Sequence, residues 1–478
     1  MTKIWISLIL INWMQVGFLM ARNARQDQDS ISRPNFIIIL TDDQGYQDLG
    51  CYGSPDIDTP ILDRMAEEGM RLTSFYAQTV CGPSRAALLT GSYPMRVATK
   101  HNTVEQHPRL HTKEITIAEL LGEVGYTSAV FGKYDLAGHS QTDYAPELLP
   151  TEQGFDYFFG TPTSNDVFVN LLRNKELIEK EADMSQLTRR YTDEAIAFIR
   201  RNRDNPFFAY LAYSMPHMKL AASEQFRGTS KRGLYGDVIE EIDWNVGRIR
   251  KTLENLGLDQ NTYVIFTSDN GPWHVWGEYG GDAGPLRGAK ASAWEGGFRV
   301  PCIIWAPGKV PAGVVQEELV TTMDLLPTLT RLGGGEIPED RVIDGQDVRD
   351  LIHGRISSSP TEMFYYYQRT RLRAVRYGKW KLHLAHPADE VWGNHIAPED
   401  NIDIETPLLF NLEEDIGEQT DLAAQYPEVV KLLLEKAEQA RKDLGDYNRM
   451  GSGQRSFDKD FPKRPDLRRS ATKTNKKR

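Results

Sequence analysis

Apolar residues gather into short unbroken runs that stop at polar or acidic positions. NFIIILTDD (Asn35 to Asp43), TSAVFGK (Thr127 to Lys133), PFFAYLAYS (Pro206 to Ser214), TYVIFTSDNG (Thr262 to Gly271) and RVPCIIWAP (Arg299 to Pro307) have the length and composition of strands buried on both faces. RLTSFYAQ, from Arg71, reads as a further strand. Between them the apolar positions recur at helical spacing. PILDRMAEEGM starts with Pro60, and TIAELLGEVG, TRRYTDEAIAFIRRN and the long LYGDVIEEIDWNVGRIRKTLENLG follow along the chain. Strands alternating with helices over about 300 residues predict an α/β fold, a large mixed or parallel sheet sandwiched by helices. Chemically active groups are then expected at the carboxyl ends of the strands.

The pattern changes after residue 360. MFYYYQ, RLRAVRYG, KWKLHL and PLLFNL succeed one another at hairpin spacing, which predicts a smaller antiparallel sheet with the helix YPEVVKLLLEKAEQARKDLG behind it. The expected organisation is a signal peptide over residues 1–24, a catalytic domain over 34–355, a C-terminal subdomain over 360–450 and a basic disordered tail over 455–478. The signal peptide rests on Lys3, the apolar stretch Ile4 to Ile11 and small residues at Ala21 and Ala24; Asn12 and Gln15 interrupt the run and argue against a membrane anchor. Export to a periplasm or to the outside is the implied destination, with no membrane association beyond that segment.

Composition narrows the partners. The 478 residues are 40% hydrophobic and 26% charged, with a formal net charge of -11. Nucleic acid is therefore excluded as a general partner, and any anion must be met by local cations. Three cysteines, Cys51, Cys81 and Cys302, are too few for a disulfide framework. Cys51 and Cys302 read as small buried hydrophobes or at most one bridge.

Two acidic strand ends carry the first chemical signal. TDDQG places Asp42 and Asp43, and TSDNG places Asp269 and Asn270, directly after a predicted strand. Converging carboxylates and an amide oxygen form an all-oxygen site for a hard divalent cation; singly, each pair is an ordinary turn or helix cap. The second signal is TVCGPSRAALLTGSYPMR, Thr79 to Arg96. Gly82 and Pro83 suit the N-cap and first position of a helix beginning beside Cys81, whose free N–H groups favour an anion, and Arg85 adds a fork that matches sulfate or phosphate. The stretch is an anion site with a sulfur nucleophile, or a structural cysteine beside a capping turn.

C-x-P-S-R followed by x-x-L-L-T-G resembles the signature of the type I, formylglycine-dependent sulfatases, most closely the arylsulfatase A type. TDD upstream, SDNGP, GFDYFFGTPTSND (Gly154 to Asp166), LRGAKASAWEGGFRVP (Leu286 to Pro301), MDLLPTL, RAVRYGKWKL and LFNLEEDIGEQTDLA carry the similarity over nearly the whole mature chain. The resemblance implies an alkaline-phosphatase-like fold and a sulfuric ester hydrolase. It implies that Cys81 is oxidised to Cα-formylglycine by a formylglycine-generating enzyme, and that Asp42, Asp43, Asp269, Asn270 and modified Cys81 hold a calcium ion. The hydrated aldehyde then attacks sulfur, and its second hydroxyl expels sulfate. In the same terms Arg85 holds the hydrate, Lys133 and Lys290 bind sulfate oxygens, His217 in SMPHMK protonates the departing oxygen, and Ser164 is a polar residue of the substrate pocket.

One position departs from the family pattern. After TSAVF the chain reads Gly132-Lys133-Tyr134-Asp135-Leu136-Ala137-Gly138-His139, with Asp135 where the family usually has a histidine. Asp135 is taken as the base for the hydrate, with an inward His139 or a slow breakdown step as the other outcomes; its charge beside a sulfate requires an offsetting cation. PWHVWGEYGGD (Pro272 to Asp282) is an aromatic loop in which Trp273, His274, Trp276 and Tyr279 either stack on sugar rings or pack the loop. A sulfated carbohydrate is the expected substrate, with an aryl sulfate as the simpler option. The rivals are a phosphate or phosphonate ester hydrolase and an idle binder of sulfated glycans.

Overall fold

The computed structural model describes residues 33–97, 110–142, 144–390 and 393–455, so the signal peptide and nearly all of the basic tail lie outside the described residues. In chain order the strands are β1 (Asn35–Thr41), β2 (Met70–Tyr76), β3 (Thr127–Lys133), β4 (Tyr157–Thr161), β5 (Leu171–Arg173), β6 (Glu176–Glu179), β7 (Phe207–Ala212), β8 (Thr262–Ser268), β9 (Arg299–Trp305), β10 (Val314–Gln316) and β11 (Val320–Thr321). They form one mixed sheet in the order β10-β2-β9-β8-β1-β7-β3-β4-β5-β6, with β11 also on β2. Five neighbours, β8-β1-β7-β3-β4, run parallel, whereas β9 is antiparallel to β8 and β2.

The unbroken apolar runs are explained by burial on both faces. Phe36, Ile38 and Leu40 of β1 enter one core with residues of the helices Cys81–Thr90, Ile117–Glu123 and Leu325–Leu332. Ile37 and Ile39 enter a second core with Tyr191, Ile199, Ile242 and Val246 from the helices Leu187–Arg201 and Leu234–Leu256. Parallel strands bring their carboxyl ends to one edge, so Asp42 after β1, Asp269 after β8, Lys133 at the end of β3, His217 beyond β7 and Ser164 beyond β4 share one side of the sheet.

Beyond residue 360, β12 (Met363–Gln368), β13 (Arg371–Tyr377), β14 (Trp380–His383) and β15 (Leu408–Asn411) form an antiparallel sheet in that order. Leu433, Ala437 and Ala440 of the helix Pro427–Asp443 pack on it together with Tyr76, Phe298 and Met323 of the main body. A buried charge network joins the two sheets: Glu295 accepts from Lys381 Nζ (3.0 Å) and Tyr366 Oη (2.7 Å), and its own N–H donates to Glu418 (2.7 Å). Among the described residues no helix is long and apolar enough to cross a membrane.

The helix expected beside Cys81 starts two positions earlier than Gly82 and Pro83 suggest. It spans Cys81–Thr90 with Val80 as N-cap, so Cys81 is its first residue and Pro83 its third. Proline costs nothing there, because first-turn N–H groups have no helical partner. All three cysteines are free; Cys302 is buried and Cys51 partly so.

Candidate active site

Cys81 lies at the bottom of the edge where the parallel strands end. Its Sγ is 3.2 Å from Asp42 Oδ1, 3.8 Å from Asp43 Oδ1 and 3.5 Å from Lys290 Nζ. Three buried cations face three buried carboxylates. Lys133 Nζ donates to Asp42 Oδ2 at 2.6 Å, and Lys290 Nζ reaches both oxygens of Asp43 at 2.6 and 2.7 Å. Arg85 is fully buried and gives Nε and Nη2 to Asp269 Oδ2 (3.1 and 2.8 Å) and Nη1 to the Lys133 carbonyl. Its fork, which the sequence offers to a free anion, is therefore taken up in fixing Asp269 and the end of β3.

These neighbours set the protonation states. Burial alone would raise Asp42, but Lys133, His217, Arg85 and Lys290 together hold its carboxyl far below the usual range. Burial, with Asp269 and Asp42 nearby, pushes the Cys81 thiol well up. An unmodified Cys81 is therefore a neutral thiol and a poor nucleophile.

The donor set fits a hard divalent cation. Ligand atoms of Asp42, Asp43, Cys81 and His217 lie within 4.8 Å of one another. Asn270 Nδ2 donates to Asp43 Oδ1 (2.8 Å) and to the Gly271 carbonyl, while its buried Oδ1 has no hydrogen-bond partner among the described residues. A buried amide oxygen without a donor beside two carboxylates is a ready metal ligand. Asp269 belongs to the cluster less directly, since Oδ1 accepts the Asp43 N–H (3.1 Å) and Oδ2 serves Arg85.

The mouth is lined by histidines and Asp166. His217 Nδ1 bonds the Met218 carbonyl, leaving Nε2 toward Asp43 (3.7 Å) and Asp166 (3.5 Å); burial lowers its pKa. His139 bridges Asp135 (Nδ1 to Oδ1, 3.3 Å) and Asp166 (Nε2 to Oδ2, 2.9 Å). Burial works against its charged form, but hydrogen bonds to Asp135 and Asp166 raise the imidazole to about 10. Ser164 is buried beside this pair, donating its N–H to the His139 carbonyl, and its hydroxyl has no partner among the described residues.

The aromatic loop splits in two. The Trp273 ring has Lys290 Nζ 4.4 Å from its centroid and contacts His217, Trp276 and, stacked at 5.4 Å, His395. Trp276 and Tyr279 are exposed. His274 is tuned by burial and by Asp282, Asp400 and Glu399 rather than by the buried acids. Sequence reasoning missed Asp166 and His395. Asp166 ends the quoted GFDYFFGTPTSND and was within reach as a neighbour of Ser164, whereas nothing in the sequence pairs His395 with Trp273.

A neutral buried cluster of acids and cations around a helix-start cysteine, at the carboxyl edge of a mixed sheet, defines a hydrolase for anionic esters with room in its donor set for a metal. Comparisons with known proteins sharpen this. The sulfatase family model matches residues 34–335, and that of the C-terminal region of aryl-sulfatase matches 359–462. The rat (Rattus norvegicus) N-acetylgalactosamine-6-sulfatase is 38% identical, with 86% of each chain covered. The human (Homo sapiens) steryl-sulfatase is 33% identical over 87% of this chain and 90% of its own. The crystal structure of the PsFucS1 sulfatase from Pseudoalteromonas sp. superposes with a TM-score of 0.76 at 28% identity, covering 90% of this chain and 94% of that one. The chain belongs to the sulfatase family, on an alkaline-phosphatase-like fold, and is a sulfuric ester hydrolase.

Proposed function

We propose that the protein is an exported sulfatase that removes sulfate from a carbohydrate ester, using Cα-formylglycine at position 81 and a calcium ion. Relatives named N-acetylgalactosamine-6-sulfatases make a 6-O-sulfated hexosamine the first substrate to try. The single observation that carries the mechanism is the seat of Cys81 Sγ, 3.2 Å from Asp42 and 3.5 Å from Lys290, among charges that keep a plain thiol protonated.

Formylglycine, made by a formylglycine-generating enzyme during maturation, supplies as its hydrate a hydroxyl nucleophile toward sulfur. Calcium, held by Asp42, Asp43, Asp269, Asn270 and residue 81, supplies Lewis-acid polarisation. The rest is the work of this chain's side chains. Lys133 and Lys290, each already aimed at the acid cluster, donate to sulfate oxygens and meet the charge that grows on them. Arg85 keeps Asp269 and the Lys133 backbone in register with the helix that bears residue 81, close to its hydrate. His217 Nε2, whose ring is fixed through an Nδ1–H donated to the Met218 carbonyl, faces Asp43 and Asp166; burial favours the neutral ring, so Nε2 must first take up a proton, which it then passes to the departing oxygen. Asp135 accepts the proton of the hydrate, and the cationic His139 beside it offsets its charge next to a bound sulfate. Ser164 offers a free hydroxyl to the substrate. Trp273 braces Lys290, His217 and His395, so sugar stacking falls mainly to Trp276, Tyr279 and His274.

The test is sulfate release by matured protein from a panel of 6-O-, 4-O- and 2-O-sulfated hexosamines and hexoses, beside an aryl sulfate and matched phosphate esters. The proposal expects at least one sulfated sugar to exceed the aryl sulfate in kcat/KM. Turnover of phosphate esters alone, or of no sulfated sugar, contradicts it.

A further inference from the structure

We propose that Gln368 is a positioning residue for Lys290: its side-chain amide pins the Ala291 peptide in the turn that aims the lysine at Asp43 and Cys81. The inference rests on the reading of Lys290 as a catalytic group.

Ala291, next to Lys290, has φ 71°, in the left-handed region. For a residue with a Cβ that conformation is disfavoured by roughly 5–30-fold in population, so the surroundings must hold it. Both of its peptide groups are held. Its N–H donates to the Thr79 carbonyl at 3.0 Å, two residues before Cys81, and its carbonyl accepts from Gln368 Nε2 at 2.7 Å. The Cβ packs between Val80, the N-cap of the Cys81 helix, and Ile396. The Lys290 N–H is likewise fixed, on the Pro272 carbonyl at 2.9 Å. The turn thus ties Lys290 to the Cys81 helix on one side and to the C-terminal sheet on the other.

Gln368 is built to do this from outside the cluster. It is the last residue of β12 and is 5% exposed. Its Oε1 accepts from Arg373 Nε at 2.7 Å, and Arg373 is itself held by the Pro387 carbonyl (3.0 Å) and Asp389 (3.4 Å). An amide in this setting has one orientation, because a flip would face donor to donor and acceptor to acceptor. Its NH2 therefore points to Ala291.

The experiment is steady-state kinetics and thermal unfolding of matured protein carrying Lys290→Ala, Gln368→Ala, Ala291→Gly and the Gln368→Ala/Ala291→Gly pair. Gln368→Ala is expected to lower kcat/KM by roughly 5–30-fold, the population cost of the unsupported turn. In the Ala291→Gly background the same change should cost less than about threefold, because glycine enters the left-handed region unaided. The unfolding midpoint lost with Gln368 should not return, which separates positioning from a merely structural role. Equal kinetic losses in both backgrounds, or full activity of Gln368→Ala, overturn the inference. If Gln368→Ala does not fold, Gln368→Glu keeps the shape and the Arg373 acceptor but removes the donor, and its full activity overturns the inference equally. A fully active Lys290→Ala would instead overturn the reading of the site itself.

Discussion

Asp135 stands where the resemblance leads one to expect a histidine, and its surroundings account for how a carboxylate can stand there. It is 1% exposed, has φ 52°, and lies 3.3 Å from the ring of His139. Hydrogen bonds to Asp135 and Asp166 raise His139 to about 10, which favours its cationic form in the neutral range and disfavours it as a base. Its cationic form stabilises the fold below its unfolded pKa, and that contribution is lost only as pH climbs toward 10. The proposed mechanism gives the base role to Asp135, and on that reading Asp135→Asn should lower kcat on an aryl sulfate by about 10²-fold or more while leaving the unfolding midpoint near that of the parent. Unchanged turnover removes Asp135 from the mechanism. At this scale the sequence was most legible where chemistry is local: Asp42, Asp43, Cys81 and Arg85 sit in short motifs, and the structure brings them together. Asp166 was within reach at the end of a quoted motif, whereas His395 was not legible, because its contact with Trp273 joins segments brought together only by the folded chain.

At the scale of elements, helix ends show a similar division. The helix Pro60–Glu68 has the proline start that its sequence announces, yet Thr59 makes no side-chain cap hydrogen bond. The cap comes from another helix: Asp243 accepts from the N–H groups of Ile61 (3.2 Å) and Leu62 (2.8 Å). Burial raises Asp243 to about 7, against the lowering effect of those two bonds. With a folded pKa above the unfolded one, its contribution to stability is fully present near pH 4 and is lost as pH rises through 7. Asp243→Asn should therefore flatten the fall of the unfolding midpoint between pH 5 and 8 relative to the parent. Parallel curves for the two proteins contradict that. The long strands were readable because burial on two faces leaves a continuous apolar signature. The strands β4, β5 and β6 were not read as strands: β5 and β6 span only three and four residues, and Leu177 and Ile178 of the edge strand β6 are exposed, so those two carry no such signature.

For the whole molecule, a net charge of -11 coexists with an anion-handling site because Arg85, Lys133 and Lys290 are concentrated where the parallel strands end. Their charge is balanced by Asp42, Asp43 and Asp269, so the proposed divalent ion would leave the cluster positive enough to receive a sulfate ester. The C-terminal part of the chain reaches this site through Gln368 at the end of β12, which bonds the Ala291 carbonyl beside Lys290, and through His395, which stacks on Trp273. The most direct test is the mass of the peptide containing residue 81, measured beside sulfate release for protein made with and without a formylglycine-generating enzyme. The account predicts activity in proportion to the converted fraction and near-zero turnover with the thiol. Equal turnover by protein whose Cys81 remains a plain cysteine would contradict it.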